Sequence, residues 1–359
     1  MSLDNRIKAF SRLGSYLQML LKNDMLALGE EELKTLTGDF ETLSKLQERL
    51  LDYSNYSKHY NAWFTKESVL FALTDWSEAL TEKKLNNWLS SYKLPEASSD
   101  KTVAIVMAGN IPMVGYHDYL SVVISGYTVL AKLSSDDEVL IPLLHDMLSV
   151  FAPDLKNKAI FTKEQLKGFD AIIATGSNNT SRYFDYYFSK YPNIIRRNRS
   201  GVAVLTGRET DEELEDLTID MLTYYGLGCR SISKIYIPKD YEFKNLFKAL
   251  EKKESVSMHH KFFNNYEYNK AIYLVNRTVH RDTGFLLFKE DTAISSPISV
   301  IFFQEYTDVE TLKNELNNRE NEIQCIIGKD YIPFGTSQHP QLNDYADGVD
   351  TIKFILSLN

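Results

Sequence analysis

From Leu3 to about Leu94 apolar residues recur at helical spacing. Ile7, Phe10, Leu13, Leu17, Leu20 and Leu21 form one series, Leu43, Leu46, Leu50 and Leu51 a second, and Val69, Leu70, Leu73, Trp76 and Leu80 a third. Residues three and four apart share a helix face, so each series predicts a helix with one buried stripe. Pro95-Glu96-Ala97-Ser98-Ser99-Asp100 interrupts the pattern and reads as a linker.

Beyond the linker the apolar positions contract into short continuous runs separated by helical stretches. Val103–Met107, Thr128–Lys132, Ala159–Phe161, Asp170–Ala174 and Val202–Leu205 predict strands. A helix is expected with Pro112 near its start and Ser125-Gly126 at its end. Asp136 or Asp137 is expected to cap another that runs to about Phe151, and a long acidic helix is expected from about Asp211 to Tyr224. Strands alternating with helices at this spacing predict an α/β fold with a parallel sheet covered on both faces. Further along, Ser233–Pro238, Ala271–Val275, Ser299–Phe303 and Gln324–Ile327 read as strands, with helices at Phe243–Lys252 and near Val309–Asn317. This predicts a second α/β unit facing the first across a cleft, and Ile352–Leu356 is the last apolar element.

Composition narrows the class. Apolar residues make up 43% and charged residues 25% of 359, a globular balance. A net charge of −9 argues against nucleic acid or an anionic membrane surface as partner. Two cysteines far apart in sequence suggest a reduced, cytoplasmic setting. Met1-Ser2-Leu3-Asp4-Asn5 leads into charged periodic sequence, so no signal peptide is expected, and no apolar run is long enough for a membrane span. The 22 Tyr and 19 Phe would suit an apolar substrate channel as well as ordinary cores.

Candidate chemistry starts at Tyr224-Tyr225-Gly226-Leu227-Gly228-Cys229-Arg230-Ser231. Gly228 would let a substrate carbonyl approach the Cys229 sulfur, and Arg230 favours thiolate over thiol. A packed cysteine in a turn is the alternative at this point. Three loops end strands of the first sheet: Gly109-Asn110-Ile111-Pro112, Lys132-Leu133-Ser134-Ser135 and Thr175-Gly176-Ser177. A dinucleotide binds beyond such strand ends, with pyrophosphate on the free N–H groups of a helix start such as Gly176-Ser177.

Taken together these segments resemble the aldehyde dehydrogenase superfamily over about residues 100 to 310. Gly109–Pro112 and Val123–Ser135 resemble the run from N-x-P to A-A-G-N-x-V-V-x-K-P-S-E. Ala174–Ser177 resembles F-T-G-S, Gly228-Cys229 resembles G-Q-x-C, and Pro297–Phe302 resembles G-P-V-L-S-V. The helical N-terminus with Ala62-Trp63-Phe64-Thr65, and Ile332–Gly335 through Asp347–Asp350, are similar to the LuxC-like acyl-CoA reductase branch.

The resemblance implies an aldehyde dehydrogenase-like α/β fold of two units around a cleft, with parallel-type sheets and a helical N-terminal region. It divides the chain into a helical region (1–99), a nucleotide-binding domain (100–208), a catalytic cysteine domain (209–330) and a C-terminal segment (331–359). That last segment is expected to pack on the cofactor domain or on a partner subunit. Cys229 becomes the nucleophile and Asn110 an oxyanion donor, while Lys132, Ser134, Ser135, Gly176 and Ser177 become cofactor contacts. Cys325 is left as a buried strand residue, and no metal is implied.

Two departures from the superfamily pattern sharpen the expectation. The segment that should carry a general-base glutamate reads Ile195-Arg196-Arg197-Asn198-Arg199, with Ile195 nearest its place. Hydrolysis of a thioester needs that base and reduction does not. The last glutamate of K-P-S-E is Ser135, which favours NADPH, with Lys132 as counter-charge to its 2′-phosphate. The expectation is therefore an NADPH-dependent reductase that turns a fatty acyl-CoA into the aldehyde through a Cys229 thioester. His259 and His260 are candidates for proton delivery. Expected partners are acyl-CoA or an acyl carrier, an acyl-protein synthetase or transferase, and further copies of the chain. An oxidising aldehyde dehydrogenase, or a non-catalytic nucleotide-binding partner of an acyl-transfer protein, is the alternative.

Overall fold

Five helices precede the first strand: α1 (Leu3–Lys22), α2 (Glu30–Leu36), α3 (Phe40–Tyr60), α4 (Lys66–Ala79) and α5 (Glu82–Leu89). The structure is a computed structural model and describes residues 1–176 and 178–358. Ser2, Asp39, Thr65 and Thr81 each accept the N–H three residues on, capping α1, α3, α4 and α5. Ile7, Phe10, Leu13, Leu17 and Leu20 bury one face of α1, which packs on α4 and α5.

The chain divides into two units, Met1–Arg197 with Gln341–Asn359, and Asn198–Pro340. The sheet of the first comprises β1 (Thr102–Val106), β2 (Thr128–Lys132), β3 (Ala159–Thr162), β4 (Ala171–Thr175) and β5 (Asn193–Arg196). Its order is β3-β2-β1-β4-β5 and every pair is parallel. α6 (Tyr116–Ile124) links β1 to β2, α7 (Leu140–Phe151) leads from β2 toward β3, and α8 (Asn178–Phe188) links β4 to β5. Ala171 to Ala174 and Val103 to Ile105 are buried, as the centre of a parallel sheet requires. The chain leaves β1 toward β2 on one side, then returns to lay β4 on the other. The switch point of this doubly wound sheet therefore lies between β1 and β4.

The second unit has β6 (Ser200–Val204), α9 (Asp211–Leu222), β7 (Ile232–Pro238), α10 (Lys244–Glu251) and α11 (His260–Val275). β8 (Arg281–Asp282), β9 (Leu287–Glu290), β10 (Val300–Tyr306), α12 (Val309–Asn318) and β11 (Ile323–Ile327) follow. The order is β11-β6-β7-β10-β9-β8, parallel except for β8 on β9. Thr210 and Glu213 form a reciprocal capping box at the start of α9, as its acidic first turn suggests. β6 pairs with β7 and β11, so the contacts divide the chain ahead of Asn198, whereas the sequence suggested a boundary at 208.

The last segment returns to the first unit and ends in α13 (Thr351–Leu356). Trp88 Nε1 donates to the Tyr345 hydroxyl at 2.7 Å, and the Tyr92 hydroxyl lies 2.8 Å from it and donates to Asp350 at 2.9 Å. Arg196 of β5 pairs with Asp118 of α6, both side chains buried, and Arg196 Nη2 donates to Thr351 Oγ1 at 3.1 Å. Among the described residues no helix is long and apolar enough to cross a membrane.

Three elements differ from expectation. Ala271–Val275 is the end of α11, not a strand: Phe262, Tyr266, Asn269 and Tyr273 keep a helical period through it. Five apolar residues in a row cannot by themselves separate helix from strand. β9 takes the position beside β10 instead. β5 escaped notice because Asn193–Arg196 ends in an arginine whose charge only the buried Asp118 makes tolerable. α6 begins at Tyr116 rather than beside Pro112, because Met113 takes a left-handed conformation (φ 60°) that no helix accepts. Its far end is as expected, with Ser125 as cap and Gly126 at φ 90°.

Candidate functional site

In the first unit, the carboxyl ends of β1, β2 and β4 gather the residues singled out from sequence. Gly109 and Asn110 follow β1, Gly109 buried and Asn110 exposed. A Cβ on Gly109 would stand 2.5 Å from Ser134 Oγ and 3.0 Å from Asp136 Cβ, so only glycine lets the β1 and β2 loops meet. Lys132 is the last residue of β2, and its carbonyl accepts the Met107 N–H at 3.0 Å. Ser134 opens a tight turn: its carbonyl accepts the Asp137 N–H and its hydroxyl the Asp136 N–H, both at 3.2 Å. Ser135 is exposed at the tip.

That turn changes the role expected of Asp136 and Asp137. α7 starts at Leu140 with Val139 in the cap position and no cap side-chain hydrogen bond. Asp137 turns inward and accepts the Met113 N–H at 2.8 Å, which holds the strained Met113 in place. Burial pushes the Asp137 carboxyl up to about 6, against the opposing pull of the Met113 and Leu140 N–H groups. Asp136 stays exposed.

At the end of β4, a Cβ on Gly176 would stand 2.9 Å from the Phe184 ring and 3.1 Å from Thr180 Cβ. Glycine there lets α8 pack directly on the strand end, and α8 starts at Asn178. Ser177 lies outside the described residues. Bare backbone at Gly109 and Gly176, on the two strands that flank the switch point, with a helix start beside one of them, fits a dinucleotide pyrophosphate. Ile195, read as nearest the missing base, sits within β5 opposite Ala174.

In the second unit, Cys229 is half-buried and joined in no disulfide. Tyr224, Tyr225 and Gly226 all take left-handed conformations (φ 54°, 59° and 76°) between the end of α9 and the cysteine. Such conformations cost on the order of 1–3 kcal/mol each for non-glycine residues and persist only where the surroundings enforce them. The Ser231 N–H then bonds to the Gly228 carbonyl at 3.0 Å, which puts Cys229 and Arg230 at the centre of a turn entering β7.

Several anchors hold this turn. Arg230 Nε donates to the Ser337 carbonyl at 2.5 Å, and Gln338 Nε2 donates to Ser231 Oγ at 3.3 Å. The Gly335 and Ser337 N–H groups in turn bond to the two oxygens of Asp220, buried in α9, at 2.7 and 2.9 Å. Burial raises the Asp220 carboxyl above its usual range. On the other side the Gly201 N–H bonds to the Ser231 carbonyl at 3.1 Å, and a Cβ on Gly201 would stand 2.6 Å from the Arg230 carbonyl oxygen. Cys325, buried in β11, donates its thiol to that same oxygen at 3.6 Å.

None of Asp220, Gly201 or Ser337 was singled out from sequence. An aspartate amid the apolar positions Leu217 and Met221 of α9 was the available signal. Tyr225 packs against His259 with ring centroids 4.1 Å apart and ring planes tilted by 33°. His259 Nδ1 accepts the Phe262 N–H at 3.2 Å, capping α11, so a neutral ring carries its proton on Nε2. His260 is exposed on the first turn of α11. Among the described residues no group of three or more His, Cys, Asp or Glu could hold a metal ion.

No protein-family model matches the chain, and no curated protein matches it. Solved structures do. Aldehyde dehydrogenase 21 from Physcomitrella patens, in complex with the reaction product succinate, is similar over 100% of this chain and 84% of that one, with a TM-score of 0.59 and 12% identity. An aldehyde dehydrogenase from Bacillus cereus in its NAD+ complex is similar over 89% and 70%, with a TM-score of 0.54 and 12% identity. An indole-3-acetaldehyde dehydrogenase with NAD+ is similar over 87% and 69%, at 0.53 and 12%. The fold expected from the motifs, aldehyde dehydrogenase-like, is the fold observed.

Proposed function

We propose that this chain, built on the aldehyde dehydrogenase fold, reduces an acyl-CoA to the aldehyde through a thioester on Cys229. The supporting observation is the setting of that cysteine: a half-buried thiol, in no disulfide, in a turn that follows three left-handed residues and is pinned from two sides. A packing cysteine needs no such construction; Cys325, wholly within β11, has none of it.

In this reading the Cys229 thiolate attacks the thioester carbonyl. A carbon–sulfur bond forms, the carbonyl electrons move to oxygen, and their return expels CoA as its thiolate, which takes up a proton. The Cys229 N–H and, from the motif, the Asn110 side chain are the proposed donors to the oxyanion. Arg230 adds a fixed positive charge next to the thiolate. Gly109, Lys132, Ser134, Ser135 and Gly176 are the proposed holders of a nicotinamide dinucleotide, which when bound supplies the hydride that reduces the acyl group. Ile195 in place of a general base leaves water unactivated, which favours reduction over hydrolysis. An acyl carrier or acyl-transfer partner, and self-association, belong to the same proposal and rest on the LuxC-like motifs. Ser135 alone favours NADPH, while Asp136, one residue on, carries a carboxylate that bears on the choice.

Intact-mass analysis tests the reading. Incubation with acyl-CoA is expected to add one acyl group, mapped to Cys229, and the reduced dinucleotide is expected to discharge it as aldehyde. Failure to acylate, or an adduct indifferent to the dinucleotide, would overturn the proposal.

A further inference from the structure

Ser135 lacks the carboxylate that would repel a 2′-phosphate, but the turn beyond it supplies one. Asp136 is exposed, and its carboxylate has no ion-pair or hydrogen-bond partner among the described residues. Its backbone is fixed at both ends: the N–H by Ser134 Oγ at 3.2 Å, and the carbonyl by Asn61 Nδ2 at 3.3 Å. The next residue, Asp137, ties the turn to the Met113 N–H. α7 begins only at Leu140, so Asp136 caps nothing. Its Cβ lies 3.0 Å from the point where a Gly109 Cβ would be, which sets the side chain over the bare backbone at the end of β1.

We infer that Asp136 reads the adenosine ribose of the dinucleotide, accepting its 2′-hydroxyl and repelling a 2′-phosphate, so that NADH is the form taken. The inference rests on the dinucleotide reading of the first unit and reverses only the choice that Ser135 suggested. An acidic residue at the end of the second strand, beside the glycine turn of the first, is where doubly wound sheets read a 2′-hydroxyl. The nearby cations do not outweigh it. Lys163, just past β3, is paired with Glu138 at 2.5 Å. Lys132, at the end of β2, is the cation of this loop, and the Asp136 and Asp137 carboxyls follow it in the same turn. A hydroxyl needs only an acceptor, whereas a dianionic phosphate beside a carboxylate meets like charge.

Calorimetric titration of the full chain with NADH and with NADPH tests this, on wild type and on Asp136→Asn. Wild type is expected to bind NADH about tenfold more tightly or better, as like-charge repulsion at short range implies. Asp136→Asn should strengthen NADPH binding about tenfold and weaken NADH binding, with an unchanged melting temperature for so exposed a side chain. Asp136→Ala should give the same gain for NADPH with a larger loss for NADH. Tighter NADPH binding by wild type, or a ratio unmoved by both substitutions, overturns the role of Asp136 and leaves the dinucleotide reading standing. Binding of neither dinucleotide to folded wild type overturns both.

Discussion

The Asp220 carboxylate, buried within α9, accepts the backbone N–H of Ser337 at 2.9 Å, and through Ser337 it reaches the turn that carries Cys229. An amide at position 220 would turn a donor toward one of the two N–H groups now accepted. Asp220→Asn is expected to cost about 1–3 kcal/mol, the range for an unsatisfied buried group. Urea unfolding measures the loss, and the rate of Cys229 alkylation by iodoacetamide measures whether the turn has moved. Lower stability with unchanged alkylation would show that the clamp supports the fold without setting the thiol.

Gly201 and Gly38 make a matched pair. A Cβ at 201 would stand 2.6 Å from the Arg230 carbonyl oxygen, a backbone atom, whereas one at 38 meets nothing within 4 Å. Gly201→Ala is expected to destabilise by about 1–3 kcal/mol, as overpacking does, and to slow acylation of Cys229. Gly38→Ala should stay within about 0.5 kcal/mol of wild type, as surface substitutions do. Equal stabilities of the two variants would mean that β6 can retreat from the turn at no cost.

The two cysteines should separate cleanly. Cys229→Ala is expected to form no acyl adduct while binding dinucleotide as wild type does. Cys325→Ala loses only a weak thiol bond to the Arg230 carbonyl and should still acylate. In the wild type without reductant the acyl-enzyme should persist, because general-base help worth about 10²–10⁴-fold has no group at Ile195 to provide it. Free-acid release measured from acyl-CoA alone checks this, and rapid release would place a water-activating group elsewhere, with Glu209 and His259 first to substitute.

Lys234 gives a pH signature. It lies wholly buried in β7, donates to the Thr292 carbonyl at 3.0 Å and to Gln304 Oε1 at 2.6 Å, and sits over the Tyr236 ring. Burial lowers its ammonium to about 8 from 10.5. Between those values the unfolded chain binds the proton and the folded one releases it, so stability rises with pH across the window. Below about 8 both states are protonated and the penalty is present in full. Chemical denaturation at pH 7.5 and 9.5, values chosen to bracket that lower limit, should show a rise of about 1–2 kcal/mol in wild type. Lys234→Met should abolish the rise. A rise of the same size in Lys234→Met would assign it to other groups.

The sheet of the first unit was legible because β1, β2 and β4 are short apolar runs, each closed by a glycine- or serine-bearing loop, and a parallel sheet needs little else. Gly109, Lys132 and Gly176 lie at or just beyond its strand ends, where the sequence placed them. Arg196 hid β5, because the partner that permits a buried charge there lies far away in sequence at Asp118. The turn at Ser134–Asp137 was half read: of the two aspartates before the apolar stretch, Asp137 does meet the Leu140 N–H at the start of α7, but Val139 holds the cap position and the approach of Met113 draws the same carboxylate inward. Of the clamp on Cys229 only Asp220, polar among the apolar positions of α9, left a mark in the residue pattern; its backbone partners at Gly335 and Ser337 left none.

Arg196 and Thr351 belong to one unit, yet the whole of the other is encoded between them. During synthesis, then, the Asp118–Arg196 pair can form early, but α13 reaches it only after the Cys229-bearing unit has left the ribosome. The nascent chain must hold an unfinished first unit through that interval, with the side of α6 and β5 that α13 will cover still exposed. Packing of α13 on α6 and β5 is thus a contact that the first unit can make only once the second has been synthesised.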